Sequence, residues 1–72
     1  MDKDLKIELV ESLIEVISTA QVTITYDFQE EYGNPANWTN AQWDEHSTII
    51  CGLNNAMIAL KEVKEKLEAE VE

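Results

Sequence analysis

Arginine is absent from this chain of 72 residues, and its five basic residues are all lysines. Asp and Glu together number 15, so the formal net charge at neutral pH is -10. Proteins that bind the phosphates of nucleic acids or anionic membranes do so through clusters of Lys and Arg. The composition therefore argues against direct binding to nucleic acid or to a membrane.

Cysteine is nearly absent, since Cys51 is the only one and an internal disulfide needs two. His46 and Cys51 are the only soft metal ligands, and a spacing of five residues does not place them on one helical face. We therefore expect no metal site, and we expect no cofactor. His46 is expected to be hydrogen-bonded, and Cys51 is expected to be a buried or helix-packing residue. The start MDKDLKIELV has no apolar leader, and no long apolar run follows. A reducing, cytoplasmic setting is expected.

Groupings of catalytic side chains are missing as well. Glu8, Glu11 and Glu15 share one helical face, but carboxylates that act as acid and base need an enclosed setting. Di-iron bundles need a Glu-x-x-His motif, which does not occur here. We interpret the three carboxylates as a solvated face and expect that the protein is not an enzyme.

Helical periodicity dominates the first half of the chain. Apolar residues recur at spacings of three and four along one wide face: Leu5, Leu9, Val10, Leu13, Ile14, Val16, Ile17, Ala20, Ile24 and Phe28. Gly33 and Pro35 are typical of a helix end, so helix one is predicted at about 4–32. The segment VTITYDFQ also alternates apolar and polar residues, which leaves a short strand at 21–29, in an α+β fold, as the alternative.

Both tryptophans flank the predicted start of helix two. Thr39 followed by Gln42 fits a capping box, which makes Trp38 and Trp43 the two positions of a hydrophobic staple. The alternative role for the tryptophans is an aromatic binding hot spot.

Helix two is predicted at about 39–71, with a tolerated Gly52. Its heptad seam starts at Trp43 and continues through His46, Ile50, Leu53, Met57, Leu60, Lys64, Leu67 and Val71. Three charge pairs one turn apart are expected to support it: Lys61–Glu65, Glu62–Lys66 and Lys64–Glu68.

These elements predict a single all-α domain over 1–72, an antiparallel helical hairpin with its turn at 33–38. Apolar residues also flank the predicted seams: Leu9, Ile14 and Val16 in helix one and Ile49, Ala56 and Val63 in helix two. One partner helix cannot cover so wide a face. We therefore expect two hairpins to form a homodimer, built as a four-helix bundle.

Charge is distributed unevenly, because no positive residue occurs between Ile7 and Leu60. In a hairpin, five carboxylates gather at the turn beside two apolar residues of the outer helix face, and together they form the predicted partner-binding site: Val22, Tyr26, Asp27, Glu30, Glu31, Asp44 and Glu45. We expect a small acidic regulator or inhibitor that presents this tip to a protein with a basic surface, such as a nucleic-acid-binding protein, by imitating phosphate charge. The alternative is a self-assembling structural or adaptor bundle whose acidity only solubilises it.

Overall fold

The computed structural model describes residues 2–70 and contains two long helices joined by a short turn. Helix α1 spans Lys3–Tyr32 and helix α2 spans Asn40–Ala69, with one 3-10 turn at Pro35–Asn37 between them. The helices pack on each other as an antiparallel hairpin. The prediction of an all-α hairpin is confirmed, whereas Val71, the last predicted seam residue, lies outside the described residues.

Both ends of α1 are closed by the residues that flank it. The carboxylate of Asp2 accepts a hydrogen bond from the backbone N–H of Leu5 at 2.7 Å. At the other end Gly33 has a φ of 82°, and its N–H donates to the carbonyl of Gln29 at 2.8 Å. A positive φ favours glycine, which explains why α1 ends where this residue occurs.

The alternative of a strand at 21–29 is wrong, because the whole segment is helical. The hydroxyls of Thr23 and Thr25 donate to carbonyls one turn earlier, at 2.9 and 3.0 Å, so they do not compete with the helix. Ile24 and Phe28 also continue the spacing of three and four that begins earlier in α1. The described chain offers no second strand, so the β propensity of the segment has no pairing to satisfy.

The start of α2 has the predicted cap. Thr39 accepts from the N–H of Gln42 at 3.2 Å, and the Gln42 side chain accepts from the N–H of Thr39 at 2.9 Å. The rings of Trp38 and Trp43 lie 4.7 Å apart between centroids, as a hydrophobic staple requires. Helix α2 then continues without a break through Gly52.

A heptad seam joins the two helices, and its residues are half-buried or buried. In α1 it contains Ile7, Val10, Ile14, Ile17, Gln21, Ile24 and Phe28, and in α2 it contains His46, Ile50, Leu53, Met57, Leu60, Lys64 and Leu67. The α2 seam agrees with the prediction, except that Trp43 at its start is 43% exposed. Ile14, predicted to flank the seam, is part of it. We call these two sets the seam.

Residues 2–70 form an elongated molecule, because within them no third layer covers the two helices. Its extents are 54 × 17 × 15 Å and its radius of gyration is 16.3 Å, against about 11 Å for a globular chain of this length. Among the described residues, Phe28, Trp38 and Met57 are the only buried apolar ones. Neither described helix has the combination of length and apolar character that a bilayer span requires.

Candidate functional site

An aromatic cluster forms where the turn crosses the end of the seam. Trp38 packs on Phe28, Trp43 and His46, with ring centroids 5.9, 4.7 and 5.3 Å apart. Phe28 meets Tyr32 and His46 edge-on, at 5.5 and 5.2 Å. Aromatic rings in tilted and edge-to-face contact stabilise a fold by more than the burial of their surface alone. These five residues, which we call the aromatic cluster, hold the two helices and the turn in fixed relative positions.

Two hydrogen bonds connect this cluster to the backbone and to α1. The indole N–H of Trp38 donates to the carbonyl of Gly33 at 2.9 Å. Nε2 of His46 lies 3.1 Å from Oγ1 of Thr25, whose own proton goes to the carbonyl of Gln21. Because a hydroxyl has one proton to give, His46 is the donor in this pair. His46 is therefore hydrogen-bonded, as the sequence predicts.

Beside the aromatic cluster, an open groove of about 610 Å³ runs between the two helices. Val22 and Tyr26 form its outer wall, and they are 57% and 64% exposed. The groove is lined by Gln21, Val22, Thr25, Tyr26, Gln29, His46, Ile50 and Asn54. We call it the turn-end groove. It contains the two apolar members of the predicted site.

Carboxylates from both helices meet at the tip. Glu31 of α1 and Glu45 of α2 both raise the pKa of Tyr32 above its ordinary value, with the charge of Glu31 as the larger cause. Negative charge near a phenol disfavours the phenolate, which is why the pKa rises. Within residues 2–70 one ion pair forms, between Lys64 and Glu11 at 3.9 Å, so no lysine neutralises the acidic tip.

The seven predicted site residues do not all lie on one side of the hairpin. Residues that follow a seam position line the turn-end groove, as Val22 follows Gln21. Asp27 and Glu45 instead precede the seam residues Phe28 and His46. A step of about 100° per residue places them on the opposite side of the seam. The structure therefore separates Asp27 and Glu45 from the groove.

Glu30, Glu31 and Asp44 complete the set of tip carboxylates. Glu30 lies one turn beyond Tyr26, while Glu31 and Asp44 lie near the last turn of α1 and the first turns of α2. All three are exposed. Glu30 and Asp44 point outward at the groove end of the molecule, whereas Glu31 lies one turn beyond Asp27 and so on the same side of α1 as Asp27.

Other site features differ from the sequence-based expectation. The groove includes His46 and Ile50, which the heptad pattern alone assigns to the helix interface. It also includes the polar Asn54, which only its position after the seam residue Leu53 could have indicated as a groove residue. Cys51 is exposed, so the expectation of a buried or packing residue is wrong. Within residues 2–70 the three expected charge pairs of α2 are not formed, and Lys64 pairs with Glu11 of α1 instead of Glu68.

Metal-binding geometry is not found in the part of the chain that is described, where no three His, Cys, Asp or Glu side chains are grouped to hold an ion. Comparison with known proteins gives no match: no family model, no curated protein and no solved structure is significantly similar to this chain. Fold and site thus define an acidic two-helix hairpin with an open, partly apolar groove beside an uncompensated acidic tip.

Proposed function

We propose that this chain is a small protein-binding regulator that docks its turn end on a basic surface of another protein. The observation that carries the proposal is the turn-end groove, where Val22 and Tyr26 are 57% and 64% exposed next to carboxylates that no lysine neutralises. Exposed apolar and aromatic groups within a charged surround are typical of protein contact surfaces.

The groove supplies the apolar part of the contact. Tyr26 offers an aromatic ring and a hydroxyl on a side chain with few rotatable bonds, and tyrosine is enriched at binding hot spots. The aromatic cluster below holds α1 and α2 in place, so the groove exists before the partner arrives. A preformed surface costs less conformational entropy on binding than a mobile one.

The acidic tip supplies selectivity and speed of association. Glu30, Glu31 and Asp44 extend from the same end of the hairpin, and a chain with a net charge of -10 attracts cationic surfaces. A protein that binds nucleic acid presents such a surface, and carboxylates on a rigid tip can take the place of phosphates on it. We propose an inhibitor of such a protein in the cytoplasm, the setting expected for a chain with one unpaired cysteine.

The experiment compares three immobilised forms of the protein in parallel captures from host lysate. The forms are the wild type, a tip variant with Glu30→Gln, Glu31→Gln and Asp44→Asn, and an arm variant with Glu8→Gln, Glu15→Gln and Glu65→Gln. Both variants lose three charges, and only the first loses them at the turn end. A protein captured by the wild type and the arm variant is then purified, and its affinity is measured at rising salt.

The expected result is a basic partner whose affinity falls at least about tenfold with the tip variant and with Tyr26→Ala. Affinity should also fall steeply with salt, because exposed charges are screened within a Debye length of about 8 Å at physiological ionic strength. Equal loss of affinity in the tip and arm variants would contradict the proposal, since net charge rather than the turn end would then govern binding.

A further inference from the structure

One side of the hairpin is apolar along its whole middle part. In α1 the residues that immediately precede seam positions include Leu9, Leu13 and Val16, which are 47%, 52% and 63% exposed. In α2 the equivalent residues include Ile49, Ala56 and Val63, and all three are exposed. From Leu9 to Thr23 and from Ile49 to Val63, no residue that precedes a seam position is charged. We call the six exposed residues Leu9, Leu13, Val16, Ile49, Ala56 and Val63 the apolar face.

The antiparallel arrangement places both halves of the apolar face on the same side. Charged residues that follow seam positions show this directly, because those of α1 and those of α2 line one shared groove: Glu11, Glu15, Lys61, Glu65 and Glu68. In both helices, residues that precede the seam point away from that groove by the same rotation. The six residues therefore form one continuous surface, with Gly52 and Ala59 as small residues between the larger ones.

The exposed area of the chain is larger than that of a globular monomer. A monomer of 8.2 kDa exposes about 4,500 Å², whereas this chain exposes 5342 Å². The excess of about 800 Å² equals what each partner buries in an interface of standard size. A second hairpin on the apolar face would bring the exposed surface to the usual value.

Charged residues at the two borders of the apolar face decide how such a copy is oriented. At the border nearest the chain termini, the residues that precede seam positions are Lys6 and Lys66. At the border nearest the turn, they are Asp27 and Glu45. If the two hairpins run in the same direction, like charges meet at both borders. If they run head to tail, each lysine border meets an acidic border, which favours this arrangement.

We infer that a second copy of this chain docks on the apolar face head to tail, forming a four-helix bundle in which Lys6 and Lys66 meet Asp27 and Glu45 of the other copy. The twofold axis is perpendicular to the long axis of the bundle, so each pole carries one turn-end groove. Glu30 and Asp44 stay free at each pole, and Glu31, one turn beyond Asp27, lies at the edge of the interface. The inference does not depend on the proposed function, because it uses the other side of the hairpin.

Two valines of α1 provide a matched test of the docking side. Val16 on the apolar face is 63% exposed and Val22 in the turn-end groove is 57% exposed. By sedimentation equilibrium at micromolar concentration, the wild type should have twice the chain mass of 8.2 kDa. Val16→Glu should raise the dimer dissociation constant at least about 100-fold, because it buries an unpaired carboxylate. Val22→Glu should leave it within about twofold, since this side stays in water.

The orientation is tested by two lysine variants and by cross-linking. Lys66→Glu should raise the dissociation constant about tenfold, whereas Lys61→Glu, the same charge change on the other side, should not. A carbodiimide, which joins amines to carboxylates in contact, should link Lys6 to Asp27 in the wild type. Within one chain these residues are about 30 Å apart along α1, so such a link forms only between copies aligned head to tail.

Three results would overturn the inference. A wild-type monomer at about 100 µM would show that the face stays open, because a standard interface of this kind holds at far lower concentration. Equal effects of Val16→Glu and Val22→Glu would place the interface elsewhere. A dimer without a Lys6–Asp27 link, and insensitive to Lys66→Glu, would exclude the head-to-tail arrangement. Partner capture through the tip would be unaffected by any of these results.

Discussion

The turn end and the arms of this hairpin share one seam but differ in what covers it. At the turn end, the chain folds Trp38 over the seam, and both Phe28 and Trp38 are buried. In the arms, residues 3–20 of α1 and 53–69 of α2, only Met57 is buried, while Leu5, Leu9 and Leu13 are 42–52% exposed. Two helices touch along one line, so a third element is needed to enclose a core.

This difference indicates that the turn end and the arms have different roles. The turn end has its third element within the same chain, so its aromatic core is enclosed without a second copy. The arms have none, so their outer apolar residues remain available to a second copy. Substitutions at the turn end should therefore lower the stability of the fold, and substitutions on the arms should change association more than folding.

The largest expected effect comes from Trp38→Ala. It removes three ring contacts and the hydrogen bond to Gly33, and truncating a buried Trp costs about 3–5 kcal/mol. Urea unfolding followed by far-UV circular dichroism, at fixed protein concentration, measures the change. Tyr26→Ala, at a side chain that is 64% exposed, should cost less than about 0.5 kcal/mol. Similar costs for both would remove the distinction between a packed turn end and an open surface.

The two glycines should respond to alanine with opposite signs. Gly33 has a φ of 82° and a ψ of -153°, a conformation that costs a non-glycine residue about 1–3 kcal/mol. Gly52 lies in the α2 interior, where alanine gains about 1 kcal/mol of helix propensity. An added Cβ meets nothing within 4 Å at either position, so the backbone alone sets the difference. Thermal melts of both variants check this, and a destabilising Gly52→Ala would show that another copy approaches closely there.

Loss of the α2 cap should have a smaller effect. Thr39→Ala leaves the N–H of Gln42 without its acceptor and should cost about 1 kcal/mol. Thr48→Ala is the matched control on the same helix. The hydroxyl of Thr48 bonds back to the carbonyl of Asp44, so its loss should be neutral or slightly stabilising. Chemical denaturation of the two variants distinguishes them, and equal values would mean that the cap does not limit α2.

The smallest effect is expected in the arms. Glu11→Gln breaks the ion pair with Lys64, whose atoms are 3.9 Å apart with side chains 51% and 33% exposed. Exposed pairs contribute at most about 1 kcal/mol, and the strong negative charge of the chain opposes even this. We expect a loss below about 0.5 kcal/mol that vanishes in about 1 M salt. A salt-independent loss above that value would mean that the pair is enclosed, as it could be inside a larger assembly.

Much of the local structure follows from short sequence signals. Both helix starts and the end of α1 lie within one residue of the predicted positions, because Asp2, Gly33 and Thr39 act through their nearest neighbours, whereas the predicted end of helix two at 71 lies outside the described residues. The capping box and the tryptophan staple were predictable for the same reason. The segment at 21–29 was ambiguous, because its alternation and its heptad spacing favour different structures until a partner for a strand is ruled out.

The candidate site was predicted less completely. The exposure of Val22 and Tyr26 and the crowding of carboxylates at the tip could be expected from helical spacing and the turn. The separation of Asp27 and Glu45 from the groove could not be predicted, because it depends on how α1 and α2 are rotated about the seam. Exposed Cys51 and the seam position of Ile14 depend on the same rotation.

The two helices, their caps and the turn are encoded locally, since they arise from interactions among residues a few positions apart, and the uneven charge is a property of the residue order alone. Which residues share a side of the hairpin depends instead on tertiary packing, because packing sets the rotation of one long helix against the other. The packing of the helices divides the wide apolar stripe of each helix between the seam and the apolar face, and it leaves the turn-end groove on the other side of the seam. The same packing placed Trp38 over one end of the seam and left the arms with two layers, since the turn of a hairpin supplies a third element only at its own end.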